Sequence, residues 1–236
     1  MGSVGFISFQ KLTYGENEML MLELFSGSKV MSDTFKRHGW DAVAIDYNPD
    51  LKPDVCKDVY TILDDESIKK ICGKMPNVIW ASPDCTTYSI ASISTHRQRE
   101  WNGFLSGKSD YAKFCDVGNK KMIEYFKSLD KDTLWFIENP RGGLRKTSFM
   151  FGVPRYTVTY CQYGDIRQKP TDIWTNHPNP NFKQCCKNGD PSHISAPRGS
   201  RTGTQGLKGS FERSMIPLGL CEYIYTLCDE YFKVKE

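Results

Sequence analysis

A cysteine follows a short apolar stretch of this chain, within the tetrapeptide Ser82-Pro83-Asp84-Cys85. The stretch before it, residues 77–81, combines β-branched and aromatic residues between two prolines, which predicts a buried central strand. Ligands of open parallel α/β sheets gather at the carboxyl ends of the strands. A thiol at such a point is well placed for nucleophilic chemistry. An isolated cysteine is more often a small buried hydrophobe, so the rest of the chain must decide between the two roles.

A second set of residues suits a nucleoside ligand. An apolar run at 19–25 leads into Phe25-Ser26-Gly27-Ser28, ahead of a helix-compatible stretch at 29–38. The glycine lets the backbone approach a ligand at a helix N-terminus, and Asp46, after the next strand, suits the two ribose hydroxyls. Asp58 lies at the end of a third predicted strand and suits an adenine amino group. A tight turn with two N-capping acids explains the same residues, because one glycine is less than the G-x-G-x-x-G pattern.

The elements that must position these residues alternate along the chain. Strands are predicted at 19–25, 41–46, 55–59, 77–81, 133–138, 156–161 and 172–175, and helices at 29–38, 64–72, 111–129 and 216–232. This alternation predicts a doubly wound, mostly parallel α/β sheet. Between 176 and 211 the chain is rich in Gly, Pro, Ser, Asn and basic residues, which predicts a small irregular lobe.

Length and composition fit a globular protein of one main domain. The 236 residues divide into a lead-in at 1–18, a core at 19–176, a basic Gly/Pro-rich lobe at 177–212 and a closing helical segment at 213–236. The nine cysteines are scattered and odd in number, which is typical of reduced thiols in the cytoplasm. No apolar stretch approaches membrane-spanning length, so we expect no membrane partner. The net charge of +3 is too small to indicate a partner by itself.

Taken in order, these residues resemble the cytosine-5 DNA methyltransferase family. The segment Leu22-Glu23-Leu24-Phe25-Ser26-Gly27 is similar to its opening S-adenosylmethionine motif, and Pro83-Asp84-Cys85 to its Pro-Pro-Cys nucleophile motif. Glu138-Asn139-Pro140 resembles its Glu-Asn-Val motif. The resemblance extends from Met19 onward.

Two later segments complete the resemblance. Tyr163-Gly164, with Arg167 and Lys169, is similar to a reduced form of the family's basic motif, and residues 213–218 resemble its final motif, which returns to the cofactor pocket. The lobe is much shorter than a typical target-recognition domain. The chain therefore resembles compact, phage-type members, which implies the cytoplasm of a bacterium or of a phage-infected host cell.

The resemblance implies the cofactor S-adenosyl-L-methionine and a covalent mechanism. Cys85 would attack carbon 6 of cytosine, and Glu138 would hydrogen-bond the base edge. Arg167 or Lys169 would stabilise the base or a nearby phosphate, and which of them does so is left open. The residues predicted to bind the cofactor are Phe25, Ser26, Gly27, Asp46, Asp58, Ser82 and Pro83.

Duplex DNA is the predicted substrate, with the target base flipped into the pocket. Basic side chains of the loop after Cys85 and of the lobe are candidates for phosphate contact, namely Arg97, Arg99, Arg198, Arg201 and Lys208. Solvated surface loops explain them equally. Because the lobe is short, a protein partner is a possible source of sequence specificity. The alternatives are the same chemistry on RNA or a free pyrimidine nucleotide, and a non-catalytic relative that binds DNA or the cofactor.

Two features of the sequence depart from expected patterns. Asp84 replaces the second proline before the nucleophile, and an ionised carboxylate there disfavours the thiolate unless it points away or pairs with a cation. Adjacent Cys185 and Cys186, followed by His193, do not match the usual zinc-ligand spacing, and a fourth ligand is not evident. We therefore predict no metal, with these three residues as the ones to inspect.

Overall fold

A computed structural model describes residues 19–194, 207 and 209–234. Its strands, in chain order, are β1 (Leu20–Leu24), β2 (Asp41–Asp46), β3 (Val55–Cys56), β4 (Val78–Ala81), β5 (Arg97–Arg99), β6 (Leu105–Gly107), β7 (Leu134–Pro140), β8 (Arg155–Thr159) and β9 (Pro170–Thr175). Its α-helices are α1 (Val30–Arg37), α2 (Asp65–Cys72), α3 (Ile93–His96), α4 (Asp110–Ser128), α5 (Ser210–Ser214) and α6 (Leu218–Lys233).

Seven of these strands form one sheet in the order β3-β2-β1-β4-β7-β9-β8. The first five are mutually parallel, β9 is antiparallel to β7, and β8 is antiparallel to β9. The prediction of a doubly wound, mostly parallel α/β sheet is confirmed. The carboxyl ends of β1, β2, β4 and β7 consequently lie along one edge.

Alternating side chains of each strand supply two hydrophobic cores, one on either face of the sheet. In β1, Leu20, Leu22 and Leu24 pack into the core shared with α2 and α4. Met21 packs into the other core, together with Phe35 of α1 and residues of α6. Because strand side chains alternate with a period of two, residues of one parity share a face. The same alternation determines on which face of the sheet the polar residues at the strand ends lie.

The predicted element ends agree closely with the structure wherever a capping residue marks them. Asp64 caps α2 by accepting from the Ser67 N–H at 2.8 Å, and Gly39, with φ of +86°, follows α1. The predicted strand at 55–59 is too long. It ends at Cys56, because Asp58 instead caps a short 3-10 turn at 59–61.

The loop after Cys85 differs from the sequence-based prediction, whereas the described part of the lobe is irregular as predicted. The stretch after Cys85, predicted as a loop, contains α3 and the antiparallel hairpin β5–β6. The described part of the lobe has no regular helix or strand between 176 and 194, and the short α5 precedes α6. Among the described residues, no helix is both long and apolar enough to cross a membrane.

Candidate active site

Cys85 lies in a turn that leaves the sheet at the end of β4. The side-chain amide of Asn139, near the end of neighbouring β7, donates to the Pro83 carbonyl at 2.9 Å. The Cys85 carbonyl accepts from the Tyr88 and Ser89 N–H groups at 3.0 and 2.9 Å, so the chain turns helically after the sulfur. These contacts hold the half-buried thiol at the carboxyl edge of the sheet.

The turn after β7 lies directly against the Cys85 loop. The Gly143 N–H donates to the Tyr88 carbonyl at 2.6 Å. A Cβ at Gly142 would stand 2.4 Å from the same carbonyl oxygen, closer than any real contact. Glycine is therefore required at Gly142 so that the turn after β7 can pack against the loop that carries Cys85.

Glu138 is buried in β7 beside the end of β4. Ala81 pairs with Ile137, so Ser82 and Glu138 come next in register. The carboxylate accepts from the Tyr160 hydroxyl at 2.9 Å, and the Ser82 hydroxyl, which itself accepts from the Trp80 indole, also bonds it. Burial raises the pKa of Glu138, while Lys169 and the two hydroxyl groups oppose the rise.

Lys169 and Arg167 occupy different environments. The Lys169 ammonium lies 4.6 Å from the centroid of the Tyr160 ring and donates to the Arg213 carbonyl at 2.8 Å. Burial lowers the pKa of Lys169, and the charges of Glu138 and Cys85 oppose this fall.

Arg167 instead fastens the final motif to the core. Its guanidinium pairs with Asp165 and donates to the carbonyls of Glu212, Arg213 and Met215. Arg167 is 5% exposed, and these contacts occupy its guanidinium. Both basic residues thus bind the Arg213 carbonyl at the start of the final motif, while the charge of Lys169 acts on Glu138 and Cys85.

The environment of Cys85 disfavours the thiolate. Burial, followed by the charges of Glu138 and Asp84, raises the pKa of the thiol to about 11, and Lys169 opposes this rise. The Asp84 carboxylate accepts from the Thr86 N–H of its own loop at 2.9 Å. It also accepts from the hydroxyl of Tyr111 on α4, so it is turned toward that helix. Its charge still acts on the sulfur, as the sequence suggested. The resting group is a thiol, and attack requires that its proton be removed.

The loop between β1 and α1 has an unusual backbone. Phe25, Gly27 and Lys29 have φ of +54°, +49° and +58°, in the left-handed region. The Gly27 N–H donates to one oxygen of Asp46 at 3.1 Å, and the Asn48 N–H donates to the other at 2.9 Å. Asp46 thus binds the ends of two neighbouring loops together.

Several groups along this edge fit a nucleoside cofactor. The buried hydroxyl oxygen of Ser26 has no hydrogen-bond partner among the described residues, which is unusual for a buried polar atom. It stands beside Gly27, where no side chain blocks the backbone, and near the buried carboxylate of Asp46. Asp58 is exposed and caps the 3-10 turn, while Pro83 is held by Asn139. Ser82 contacts Glu138, so it lies with the proposed reacting groups and not with the proposed cofactor site.

Glu23 lies buried in β1, immediately before this loop. Its carboxylate accepts from the Ser32 N–H at 2.8 Å, in the first turn of α1. Burial raises its pKa to about 7, with a smaller contribution from the charge of Asp33. Glu23 therefore joins β1 to α1 and shapes the intervening loop.

The basic residues predicted to contact nucleic acid are placed differently from one another. Arg97 is 5% exposed and bonds Asp116 and Thr87, with its guanidinium 3.9 Å from the Tyr88 ring centroid. It supports the Cys85 loop and is not presented to solvent. Arg99 is exposed on β5, next to a hairpin tip where Trp101 is 96% exposed. Arg198, Arg201 and Lys208 lie outside the described residues.

Sequence reasoning missed two residues that support the reacting groups. Asn139 belongs to a recognised motif, yet its contact with Pro83 is visible only when β4 and β7 are neighbours. Tyr160 follows β8 and reaches Glu138 across β9, and nothing local in its sequence marks that contact. The structure thus assembles Cys85, Glu138 and Lys169, with Ser82, Asn139 and Tyr160 as supports.

No protein-family model and no curated protein matches the sequence. Solved structures with a similar arrangement include the Entamoeba histolytica methyltransferase EhMeth (TM-score 0.44, 14% identity, 68% of this chain, 53% of that chain). A second is S. pombe Dnmt2 methyltransferase (TM-score 0.42, 13% identity, 66% of this chain, 48% of that chain). A third is a mutant of Spodoptera frugiperda DNMT2 (TM-score 0.43, 16% identity, 72% of this chain, 54% of that chain). This chain spans about half the length of each. Its function is therefore inferred from the residues of its own site.

Proposed function

We propose that this protein transfers a methyl group from S-adenosyl-L-methionine to carbon 5 of cytosine in DNA, through a covalent adduct with Cys85. One observation carries the proposal. A thiol and a buried carboxyl group stand at the ends of adjacent parallel strands, with a buried ammonium close enough to act on both. The ordered motifs of the sequence support the same conclusion.

This arrangement suits the activation of a poorly nucleophilic carbon. The Cys85 sulfur, once deprotonated, forms a bond to carbon 6, and the electron pair of the carbon 5–carbon 6 double bond moves into the ring. Glu138, whose pKa is raised by burial, donates a proton or hydrogen bond to the base edge and stabilises that charge. The positive charge of Lys169 reduces the repulsion between the Glu138 carboxylate and the Cys85 thiolate.

The remaining steps restore the aromatic base and the enzyme. S-adenosyl-L-methionine, when bound, would supply the methyl group to carbon 5 as its sulfonium–methyl bond breaks and a neutral thioether is left. Loss of the carbon 5 proton and departure of the Cys85 sulfur then re-form the double bond. The half-buried thiol requires that cytosine enter from outside the stack, which suits a flipped base.

The edge at β1, β2 and β3 is the proposed cofactor site. Gly27 leaves the backbone open to a ligand, and the Ser26 hydroxyl is a free buried hydrogen-bonding group among the described residues. Asp46, which already accepts from two N–H groups, would also accept from the ribose hydroxyls. Phe25, 5.3 Å from Tyr60 between ring centroids, and Asp58 complete the residues proposed for the nucleoside.

DNA contact is proposed for the hairpin β5–β6, where Arg99 and Trp101 are exposed. An arginine next to an exposed aromatic ring suits phosphate contact and base stacking. The lobe residues Arg198, Arg201 and Lys208 remain predicted phosphate contacts. The small size of the lobe favours a second candidate, namely the same chemistry on RNA or a free pyrimidine nucleotide, and a protein partner remains a proposed source of specificity.

Covalent trapping tests this proposal. Duplex DNA containing 5-fluorocytosine should form a cofactor-dependent adduct, because fluorine cannot leave carbon 5 as a proton does. Cys85→Ala should form none, while Cys56→Ala, which removes an exposed thiol at the end of β3, should form as much as the unmodified protein. An adduct retained in Cys85→Ala would remove Cys85 from the nucleophile role.

Methyl-transfer assays on duplex DNA, single-stranded DNA, RNA and free cytidine nucleotides distinguish the two candidate functions. Preference for duplex DNA supports the first, and preference for RNA or nucleotide supports the second. If neither the unmodified protein nor Cys85→Ser methylates any of these substrates in the presence of the cofactor, the catalytic proposal is overturned.

A further inference from the structure

Three side chains with metal-binding atoms meet on the side of the lobe that faces the core. Cys161 lies in the 3-10 turn at 160–163, after β8, and Cys186 and His193 lie in the lobe. The two sulfurs are 2.7 Å apart, and the Cys186 sulfur is 3.6 Å from Nδ1 of His193. All three donor atoms lie within 4.8 Å of one another.

The adjacent Cys185 is not part of this cluster. Its thiol donates to the Thr157 carbonyl of β8 at 3.0 Å, so the two consecutive cysteines bond different groups. The pairing that the structure reveals is between Cys186 and Cys161, which are 25 residues apart in sequence. This separation explains why zinc-ligand spacing is not recognisable in the sequence.

Backbone contacts hold the lobe in place around the cluster. The Cys186 N–H donates to the Thr159 hydroxyl at 3.0 Å, and the Ile194 N–H donates to the Ile166 carbonyl at 2.8 Å. Between these two points the lobe has little apolar burial, and Ile194 itself is 69% exposed. A short segment of irregular structure with so small a core is the kind that a structural metal stabilises.

We propose that Cys161, Cys186 and His193 bind one Zn²⁺ ion, with a water molecule as the fourth ligand. Two thiolates and a neutral imidazole are donors that zinc prefers, and the thiolates balance its charge. Tetrahedral bonding at the usual lengths places sulfur about 3.5 Å from nitrogen and the two sulfurs about 3.8 Å apart. The 3.6 Å separation of Cys186 and His193 already fits, and the sulfurs separate by about 1 Å on binding.

The proposed ion would join the lobe to a turn that serves the active site. Tyr160, directly before Cys161, donates to Glu138 at 2.9 Å. Tyr163, in the same turn, accepts from the Lys183 N–H of the lobe at 3.1 Å. The metal would thus fix the lobe and the turn that supports Glu138 as one unit. The metal site does not depend on which substrate the protein methylates.

A disulfide between Cys161 and Cys186 is the competing use of the two thiols. It would account for the sulfurs but leave His193 without a role, although its Nδ1 faces Cys186. The metal accounts for all three side chains. Peptide mapping of unreduced protein separates these cases, because a disulfide links the two cysteine-containing peptides.

Titration of the reduced, metal-free full-length protein with Co²⁺ tests the site. One equivalent should produce sulfur-to-cobalt charge-transfer absorption and the visible bands of tetrahedral cobalt, and Zn²⁺ should abolish both. Cys186→Ser and His193→Ala should each weaken Co²⁺ binding at least tenfold, a loss typical of removing a metal ligand. Cys185→Ser is the matched control and should bind Co²⁺ as the unmodified protein does.

Thermal unfolding supplies a second measurement that does not depend on activity. Zn²⁺ should raise the unfolding temperature of the unmodified protein and of Cys185→Ser, and should leave that of His193→Ala unchanged. The proposal is overturned if the reduced protein takes up no Co²⁺, if Cys185→Ser loses binding as Cys186→Ser does, or if a Cys161–Cys186 disulfide forms and the reduced protein binds no metal.

Discussion

Glu23 and Glu138 are buried carboxyl groups at the ends of two parallel strands, one in each half of the sheet. Both alternate onto the face that α1 and α6 cover, and both have pKa values raised mainly by burial. Glu23 accepts from a backbone N–H at the start of α1. Glu138 is bonded by two hydroxyl groups and faces an ammonium and a thiol.

The difference shows what burial alone does to a carboxyl group and what its neighbours add. Desolvation raises the pKa in both cases, so a raised value does not by itself identify a catalytic residue. Glu23 connects a strand to a helix and shapes the proposed cofactor loop. Glu138 differs in that the charge of Lys169 acts on it and its own charge acts on the Cys85 thiol, an arrangement that suits the proposed proton transfer to a bound base.

Substitution of Glu138 should produce the largest effect. Glu138→Gln should reduce methyl transfer by about 10²- to 10⁴-fold, the usual loss when a general acid is removed. Because its charge contributes to the raised pKa of Cys85, the same variant should alkylate faster at Cys85 in alkaline solution. Radiolabelled methyl transfer and mass spectrometry of the Cys85 peptide measure the two effects.

Glu124→Gln, an exposed position on α4, is the matched control and should change neither quantity. Equal methyl transfer by Glu138→Gln and the unmodified protein would show that Glu138 has the same structural role as Glu23. A fall in activity with an unfolded far-ultraviolet spectrum would not count, so both variants are compared by circular dichroism.

The free energy of unfolding should depend on pH through the carboxyl group of Glu23. Its pKa rises from 4.5 in the unfolded chain to about 7 in the fold, so the folded state holds the proton more tightly. The stabilisation is therefore complete below the unfolded value and is lost as pH rises through about 7, a loss of about 3 kcal/mol. Glu23→Gln should lack this dependence, which urea unfolding between about pH 5 and pH 8 measures.

The free energy of unfolding of the unmodified protein should thus fall relative to that of Glu23→Gln as pH rises. Glu124→Gln should keep the full pH dependence. Parallel curves for the unmodified protein and Glu23→Gln would show that the carboxyl group of Glu23 titrates alike in the folded and unfolded states, contrary to its burial.

The sequence predicted those parts of the fold and site that have local signatures. The strand predicted at 41–46 and the helix predicted at 64–72 match β2 and α2, and the ends of β4 and β7 place Cys85 and Glu138 at one edge of the sheet. The contact of Tyr160 with Glu138 was missed, because it depends on the register of β7, β9 and β8. Arg97 was a candidate for phosphate contact, yet it is buried and its partner Asp116 lies on α4, a contact that no periodicity reveals.

The smallest effect is expected at Asp84, the residue that replaces a proline beside the nucleophile. Its charge raises the pKa of Cys85, after burial and Glu138, although the carboxylate points toward α4. Asp84→Asn keeps an acceptor for the Thr86 N–H and removes the charge, so the pKa of Cys85 should fall and its alkylation in alkaline solution should become a few-fold faster. Asp110→Asn, fully exposed at the start of the same helix, should leave the rate unchanged. An unchanged rate in Asp84→Asn would mean that solvent screens this carboxylate, and that burial and Glu138 alone set the state of the thiol.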